Sequence, residues 1–242
     1  MSDALFNEPR LARIYDLLEG ERDDLDPYLA MVAEFDARSV LDVGCGTGAF
    51  ACLLAERGIE TVGVDPAAAS LEVARTKPGA QGVRWLRGDA TTLPELQVDL
   101  ATMTGNTAQV FLTDDDWSAT LRGIHAALRP SGHLVFEVRD PAGRAWARWN
   151  RETTHDVLDV PDLGRVESWI DVTDFDGTLM TYRRTYVIAA DGSTLTSDST
   201  RRFRSRDEID ASLRSAGYTV LDLRDAADRP GREWVFVAQK SS

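Results

Sequence analysis

The chain has 242 residues, 43% of them hydrophobic, which is enough for one substantial core with an elaboration. Its 27 Arg and Lys against 40 Asp and Glu give a formal charge of -13, a balance that repels a phosphate backbone and argues against a nucleic-acid partner. No apolar run reaches the ~20 residues of a membrane span, the start "MSDALFNEPR" has no apolar signal core, and Cys45 and Cys52 are too few for a disulfide framework or a metal cluster. The expectation is a soluble, cytoplasmic protein with reduced thiols, no bound metal and no membrane partner.

In "EPRLARIYDLLEG" the apolar residues Leu11, Ile14, Tyr15 and Leu18 recur at helical spacing between Pro9 and Gly20. A second helix is expected from Asp26 as N-cap, with Pro27 at its first position and Leu29, Val32 and Phe35 turned inward. An alternation of β-rich and helical segments follows. "SVLDVG", "IETVGVD", "GVRWLRGD", "VDLATMT" and "HLVFEVRD" read as strands, with helices at "GAFACLLAERG", "AAASLEVARTK" and "TDDDWSATLRGIHAALRPSG". In the last helix Thr113 and Asp116 form a capping box, and Trp117, Leu121, Ile124 and Leu128 form the buried stripe. Such alternation implies right-handed crossovers and a parallel sheet covered on both faces.

After Asp140 the pattern breaks. "GRAWARWNR" sets Trp146 and Trp149 one helical turn apart. Three extended runs, "RVESWIDVTDF", "TLMTYRRTYVI" and "STLTSDSTRRF", are then separated by Asp176-Gly177 and Asp191-Gly192, which is a hairpin signal and predicts a three-stranded antiparallel insertion. "SRDEIDASLRSAG" returns to a helix capped by Ser205 and stopped by Gly217, and "YTVLDLRD" and "EWVFVAQK" are two final strands. The expected divisions are an N-terminal helical lid over 1–36, a core over 37–142 and 205–242, and a helix-plus-β insertion over 143–204.

"VLDVGCGTGAF" carries the chemistry. In an open α/β sheet the ligand sits at the carboxyl ends of the strands, and the first strand-to-helix loop, here Gly44, Gly46 and Gly48, forms its floor. The spacing is G-x-G-x-G, not the G-x-G-x-x-G of dinucleotide sites. Asp42, two residues before the first glycine, would repel a pyrophosphate and suits a ligand carrying an ammonium or sulfonium. Asp65, at the end of the second strand, can accept from both hydroxyls of a ribose, and Asp89, followed by Ala90, can accept from an adenine amino group. A glycine-dense turn serves helix–strand packing as well, and "GD" is a common turn, but acids at two successive strand ends favour the ligand. A nucleoside with a cationic tail is implied.

"VLDVGCGTG", "VGVDPA" and "LRGDATTLP" together resemble the first three motifs of the class I S-adenosylmethionine-dependent methyltransferases, over roughly 38 to 140 and 205 to 240. The resemblance implies S-adenosyl-L-methionine as cofactor, with Gly44, Cys45 and Gly46 along its methionine part, Asp65 and the adjoining Pro66 at the ribose, and Asp89 and Ala90 at the adenine. It also implies a Rossmann-like doubly wound seven-stranded sheet of order 3-2-1-4-5-7-6 with the last strand antiparallel.

Direct transfer from a sulfonium requires an acceptor placed in line behind the methyl group in a site that excludes water. No nucleophile or metal is obligatory. "TGNT" puts Thr104 and Asn106 beside the donor, and it is neither an N-P-P-aromatic nor a Pro-Cys signature, so a small molecule methylated at nitrogen or oxygen is the expected acceptor. Candidate bases or anion holders are Glu137 and Arg139, which share a strand face and are equally able to pair with each other, and His155. Tyr15 and Tyr28 lie in helices that resemble a lid over the donor, with core positions as the alternative. Trp169, Phe175, Tyr182 and Tyr186 of the insertion need a surface, which could be the site mouth, the main sheet or a second copy of the chain. Two rival readings are a nicotinamide-dependent oxidoreductase, disfavoured by the glycine spacing and Asp42, and a regulator that binds the cofactor without turnover.

Overall fold

A computed structural model describes residues 3–20 and 22–241. Three α-helices lead in: α1 (Ala4–Asn7), α2 (Pro9–Glu19) and α3 (Asp26–Glu34). β1 (Ser39–Val43), α4 (Ala49–Glu56), β2 (Glu60–Asp65), α5 (Ala68–Ala74), β3 (Val83–Arg87), β4 (Val98–Met103), α6 (Asp114–Ala127) and β5 (Leu128–Arg139) then alternate. The remainder is α7 (Arg151–Thr154), β6 (Asp156–Val160), β7 (Gly164–Phe175), β8 (Leu179–Ile188), β9 (Thr194–Arg202), α8 (Arg206–Ser215), β10 (Tyr218–Asp225) and β11 (Glu233–Lys240).

The main sheet has the order β10-β11-β5-β4-β1-β2-β3, with β11 antiparallel to both neighbours and the first five strands parallel. It is the seven-stranded doubly wound sheet that the motifs imply. Successive residues of a strand face opposite sides, and both sides are buried. Val40, Leu100, Val135 and Val235 pack beneath α3 and α4, while Leu41, Ala101, Leu134 and Phe236 pack beneath α6 and α8. At α8 Ser205 and Glu208 complete a capping box; at α6 half of the expected box forms, with Thr113 Oγ1 accepting from the Asp116 N–H at 3.1 Å while the Asp116 carboxylate accepts from the Thr113 hydroxyl.

Several boundaries differ from expectation. α6 stops at Ala127 and β5 begins at Leu128, because Pro130 cannot continue a helix and biases Arg129 to extended backbone. Asp26 is the first residue of α3 and Leu25 its cap position; a 3-10 turn over Asp23–Leu25 feeds the helix, and the Asp26 N–H already has the Asp23 carbonyl as partner. Trp146 and Trp149 lie around a short 3-10 turn, Ala145–Arg148, instead of on an α-helix, and they pack: Trp146 is edge-on to Phe203 at 4.4 Å and Trp149 edge-on to Tyr182 at 5.0 Å.

The second sheet has four strands, β6-β7-β8-β9, where the sequence predicts three. The extra strand, "DVLDV", is mostly exposed and is held by its antiparallel backbone pairing to β7, so it carries no alternating pattern for a sequence to reveal. The sheet lays Val166, Tyr186 and Ile188 against Leu5, Leu11 and Ile14 of α1 and α2. Arg204 ties it to the main sheet by donating to the carbonyls of Phe111 and Thr113, both at 2.9 Å. The insertion aromatics therefore find partners within the chain: Tyr186 against the N-terminal helices, Tyr182 on Trp149, Phe175 on Trp146, and Trp169 beneath Arg151 at 4.1 Å.

Candidate active site

From Val43 the chain turns through five residues into α4. Gly44, Gly46 and Gly48 take φ values of 71°, 52° and 78°, in the left-handed region where a β-carbon is strained. At Gly44 a side chain would also collide with the Thr107 methyl group, so the glycine loop and the loop after β4 touch at the point where strand order reverses. Among the described residues nothing lies within 4 Å of a β-carbon placed on Gly46, which leaves that face of the turn open to them. From below, Gly44 and Cys45 donate their N–H groups to the Val64 carbonyl at 2.8 and 3.2 Å, pinning the loop to β2. The Cys45 side chain turns inward against Gly63, and burial pushes its thiol well above the ordinary range. What Cys45 can offer a ligand is main chain.

Two buried carboxylates flank the loop. Asp42 is 1% exposed, and its hydrogen-bond donor is the Thr102 hydroxyl at 3.1 Å. Burial pushes it up to about 7, against the pull of that hydroxyl. Asp65, also buried, accepts from Gly46 N–H through Oδ2 at 2.9 Å and from Ala67 N–H through Oδ1 at 2.7 Å. Burial raises it and the two backbone donors oppose the rise. These N–H bonds hold the carboxylate beneath the loop and leave each oxygen a second lone pair.

The third strand end is more open. Asp89 is exposed and takes the Thr91 N–H and hydroxyl on Oδ1 at 2.8 and 2.6 Å, while Ala90 behind it is buried. Pro66 is exposed beside Asp65, and Thr104 is half-buried with its carbonyl accepting from Thr107 Oγ1 at 2.8 Å. Tyr15, on α2, is half-buried and tilted on Phe6 at 5.4 Å, and burial raises its hydroxyl. Its neighbour Asp16 reaches the glycine loop, accepting from Thr47 Oγ1 at 2.6 Å and pairing with Lys77 Nζ at 2.6 Å. Sequence reasoning passed over Asp16, because one acid on a polar helix face carries no signal.

The catalytic candidates separate. Glu137 and Arg139 do not pair with each other. Glu137, 6% exposed, accepts from Tyr28 Oη at 2.5 Å and from the Asn106 N–H at 3.2 Å, whereas Arg139 Nε faces Glu233 at 3.5 Å. Antiparallel β11 sets Glu233 directly across from Arg139, a register that strand patterns alone do not give. Tyr28 is a core residue edge-on to Phe50 at 6.1 Å, so α3 is part of the core, and it is α2 that reaches the glycine loop, through Asp16 on Thr47. His155 contacts Glu167 at 3.4 Å and Trp169, both within the second sheet. His125 and His133 pack on Tyr218 and Phe35.

Residues 40–132 match the Methyltransferase domain family. The chain is 34% identical over 149 residues to cypemycin N-terminal methyltransferase from a Streptomyces species, an alignment covering 59% of this chain and 60% of that protein. It spans between two and three fifths of the length of the first curated relatives it matches. Among solved structures, the CcbJ methyltransferase of Streptomyces caelestis superposes with a TM-score of 0.77 at 22% identity, covering 98% of this chain and 97% of that one. CalS10, an amino pentose methyltransferase from Micromonospora echinaspora, superposes at 0.69 with 24% identity, covering 93% and 94%. The glycine loop, its flanking acids and the strand order agree with these likenesses: residues 40–132 carry a methyltransferase-type domain, on the fold shared by solved S-adenosylmethionine-dependent methyltransferases.

Proposed function

We propose that this protein transfers the methyl group of S-adenosyl-L-methionine to a nitrogen or oxygen of a small-molecule acceptor by in-line displacement. The observation that carries the reading is Asp42: a carboxylate 1% exposed, whose hydrogen-bond donor is a neutral hydroxyl, beside a glycine turn with one open face. A buried carboxylate is stable in its charged form only opposite a positive charge, and a cofactor with an ammonium and a sulfonium brings one. The site fits that group. When bound, it supplies an electrophilic methyl carbon on a positively charged sulfur.

The protein's part is to hold and to exclude water. Asp65 accepts the ribose hydroxyls on its remaining lone pairs beside Pro66, and Asp89 accepts from the adenine amino group above Ala90. Gly44, Cys45 and Gly46 offer main chain to the methionine part, with Thr104 and Asn106 across from it and Tyr15 above. The acceptor class is supported by the charge of -13, by the absence of nucleic-acid methylation signatures around Asn106, and by relatives whose names specify an N-terminus and an amino pentose. Residues 143–204, with α1 and α2, form the cover over the core; they, or a pairing of two copies through the second sheet, wall the acceptor. The two free thiols and the absence, among the described residues, of a helix long and apolar enough to cross a membrane suit a cytoplasmic enzyme.

Calorimetry with S-adenosylhomocysteine is the direct test. Micromolar binding is expected, and Asp65→Ala should weaken it at least about tenfold, since hydrogen bonds to a charged group are worth ~1.5–3 kcal/mol each. No binding by the wild type would exclude the cofactor assignment, and an unchanged affinity in the variant would exclude the ribose role.

A further inference from the structure

The loop after β4 and the facing ends of β5 and β11 enclose a buried polar cluster that adjoins the donor site through Asn106. Asn106 is 1% exposed and takes a left-handed backbone, φ 60°, which asparagine tolerates better than most residues. Its N–H donates to Glu137 Oε1 at 3.2 Å and its Nδ2 to Glu233 Oε2 at 3.1 Å. These bonds fix the amide, because turning it over would set one oxygen against another. Asn106 Oδ1 is then buried with no donor. A buried acceptor left unpaired is costly, and its presence calls for an explanation.

The two carboxylates differ. Glu233 is balanced by Arg229 at 2.8 Å and Arg139 at 3.5 Å, and Arg229 also pairs with Asp228 at 3.2 Å. Among the described residues Glu137 has only neutral donors, Tyr28 Oη and the Asn106 N–H. The cluster thus lacks one thing: an N–H donor bearing positive charge, able to serve Oδ1 and Glu137 together. Thr107, the residue after Asn106, packs on Gly44 of the donor loop. On the other side, Glu137 and Tyr28 line a cleft of about 240 Å³ whose walls carry Asp24, Glu34, Asp225 and Asp228 and the cation Arg224, which is paired to Glu34 at 2.6 Å. Carboxylates around a low-dielectric cleft concentrate cations.

We propose that Asn106 Oδ1 and Glu137 receive the acceptor as an amine, that Glu137 takes its proton, and that the site therefore selects primary or secondary amines over alcohols. The inference rests on the methyltransferase reading. The entering ammonium gives one proton to the Glu137 carboxylate, and Oδ1 holds a remaining N–H. The freed nitrogen lone pair forms the N–CH3 bond as the C–S bond breaks, and the electrons of that bond stay on sulfur as a neutral thioether. The product leaves as an N-methylammonium, and Glu137 loses its proton to water through the cleft. Burial lifts the Glu137 carboxyl above its ordinary range, against the Tyr28 hydrogen bond, which brings it nearer to an amine and leaves it far short of an alcohol.

Benzylammonium and benzyl alcohol, a pair of equal size, are titrated calorimetrically into the full chain with and without S-adenosylhomocysteine. The wild type is expected to bind the amine at least about tenfold more tightly. Acidification erases the preference as Glu137 becomes neutral. Glu137→Gln removes both the preference and its pH dependence, while Tyr28→Phe, which frees a Glu137 oxygen, keeps or increases the preference. Equal binding of the two probes, an unchanged preference in Glu137→Gln, or a loss in Tyr28→Phe overturns the amine site. Amine binding without S-adenosylhomocysteine binding would instead overturn the donor reading and leave the amine site standing.

Discussion

Asp42 shows how much one buried carboxyl can couple to a ligand. Unfolded, it titrates near 4; folded, near 7. Between those values the folded chain holds the extra proton, so without ligand this group costs stability as pH rises, by up to ~1.4 kcal/mol per unit across the window. A cationic ligand reverses the sign by favouring the ionised form. The affinity for S-adenosylhomocysteine should climb up to about tenfold per unit below pH 7 and level off above it, with a proton released on binding. Calorimetry at about pH 6 in buffers of different ionisation heat counts that proton, and Asp42→Asn should abolish the release. No release by the wild type would show that Asp42 does not face the charge. Asp42 and Asp65 were legible because each closes a strand next to a glycine turn or a helix start, where few structural duties call for an acid. Glu233 was not, since two of its partners, Arg139 and Asn106, lie about 94 and 127 residues away in the chain and are brought to it by topology, not by local pattern.

At the level of elements, α2 is a strap as much as a core helix. Its buried side, Leu11 and Ile14, rests on the second sheet, while Asp16 grips Thr47 of the glycine turn and Lys77 beyond α5. α1 adds two ties: Leu5 N–H donates to Ser197 Oγ at 2.8 Å, and Ser70 Oγ donates to the Phe6 carbonyl at 3.0 Å. On the proposed reading, a helix bonded to both the turn and the insertion sets the height of a roof over the donor. Asp16→Ala should therefore weaken S-adenosylhomocysteine by ~0.5–1.5 kcal/mol, the usual worth of one hydrogen bond, with the thermal midpoint little changed because Asp16 is part-exposed. A large fall in the midpoint with unaltered affinity would make α2 a structural prop only. The long, periodic helices and the buried strands announced themselves. α1 and β6 did not, being four and five residues long and stabilised by what they lie against.

Over the whole molecule, alternation of strands and helices was enough to give the main sheet and its order by family likeness, because a parallel sheet admits few crossovers. The way the second sheet docks was not legible: its aromatics meet α1, α2 and the turn at Ala145–Arg148, contacts between segments more than a hundred residues apart for the helices. Composition holds a consequence of its own. The chain has only two lysines. Lys240 is fixed by donating to the carbonyls of His125 and Leu128, both at 2.7 Å, on the sheet edge remote from the glycine turn, and Lys77 is paired to Asp16 beside that turn. The pair makes a reporter and an internal reference. In a short pulse of an amine-acylating reagent read by mass spectrometry, cofactor that draws α2 onto the turn should slow the labelling of Lys77 and leave Lys240 unchanged. Equal rates at Lys77 with and without S-adenosylhomocysteine would mean that the roof is already shut in the free protein.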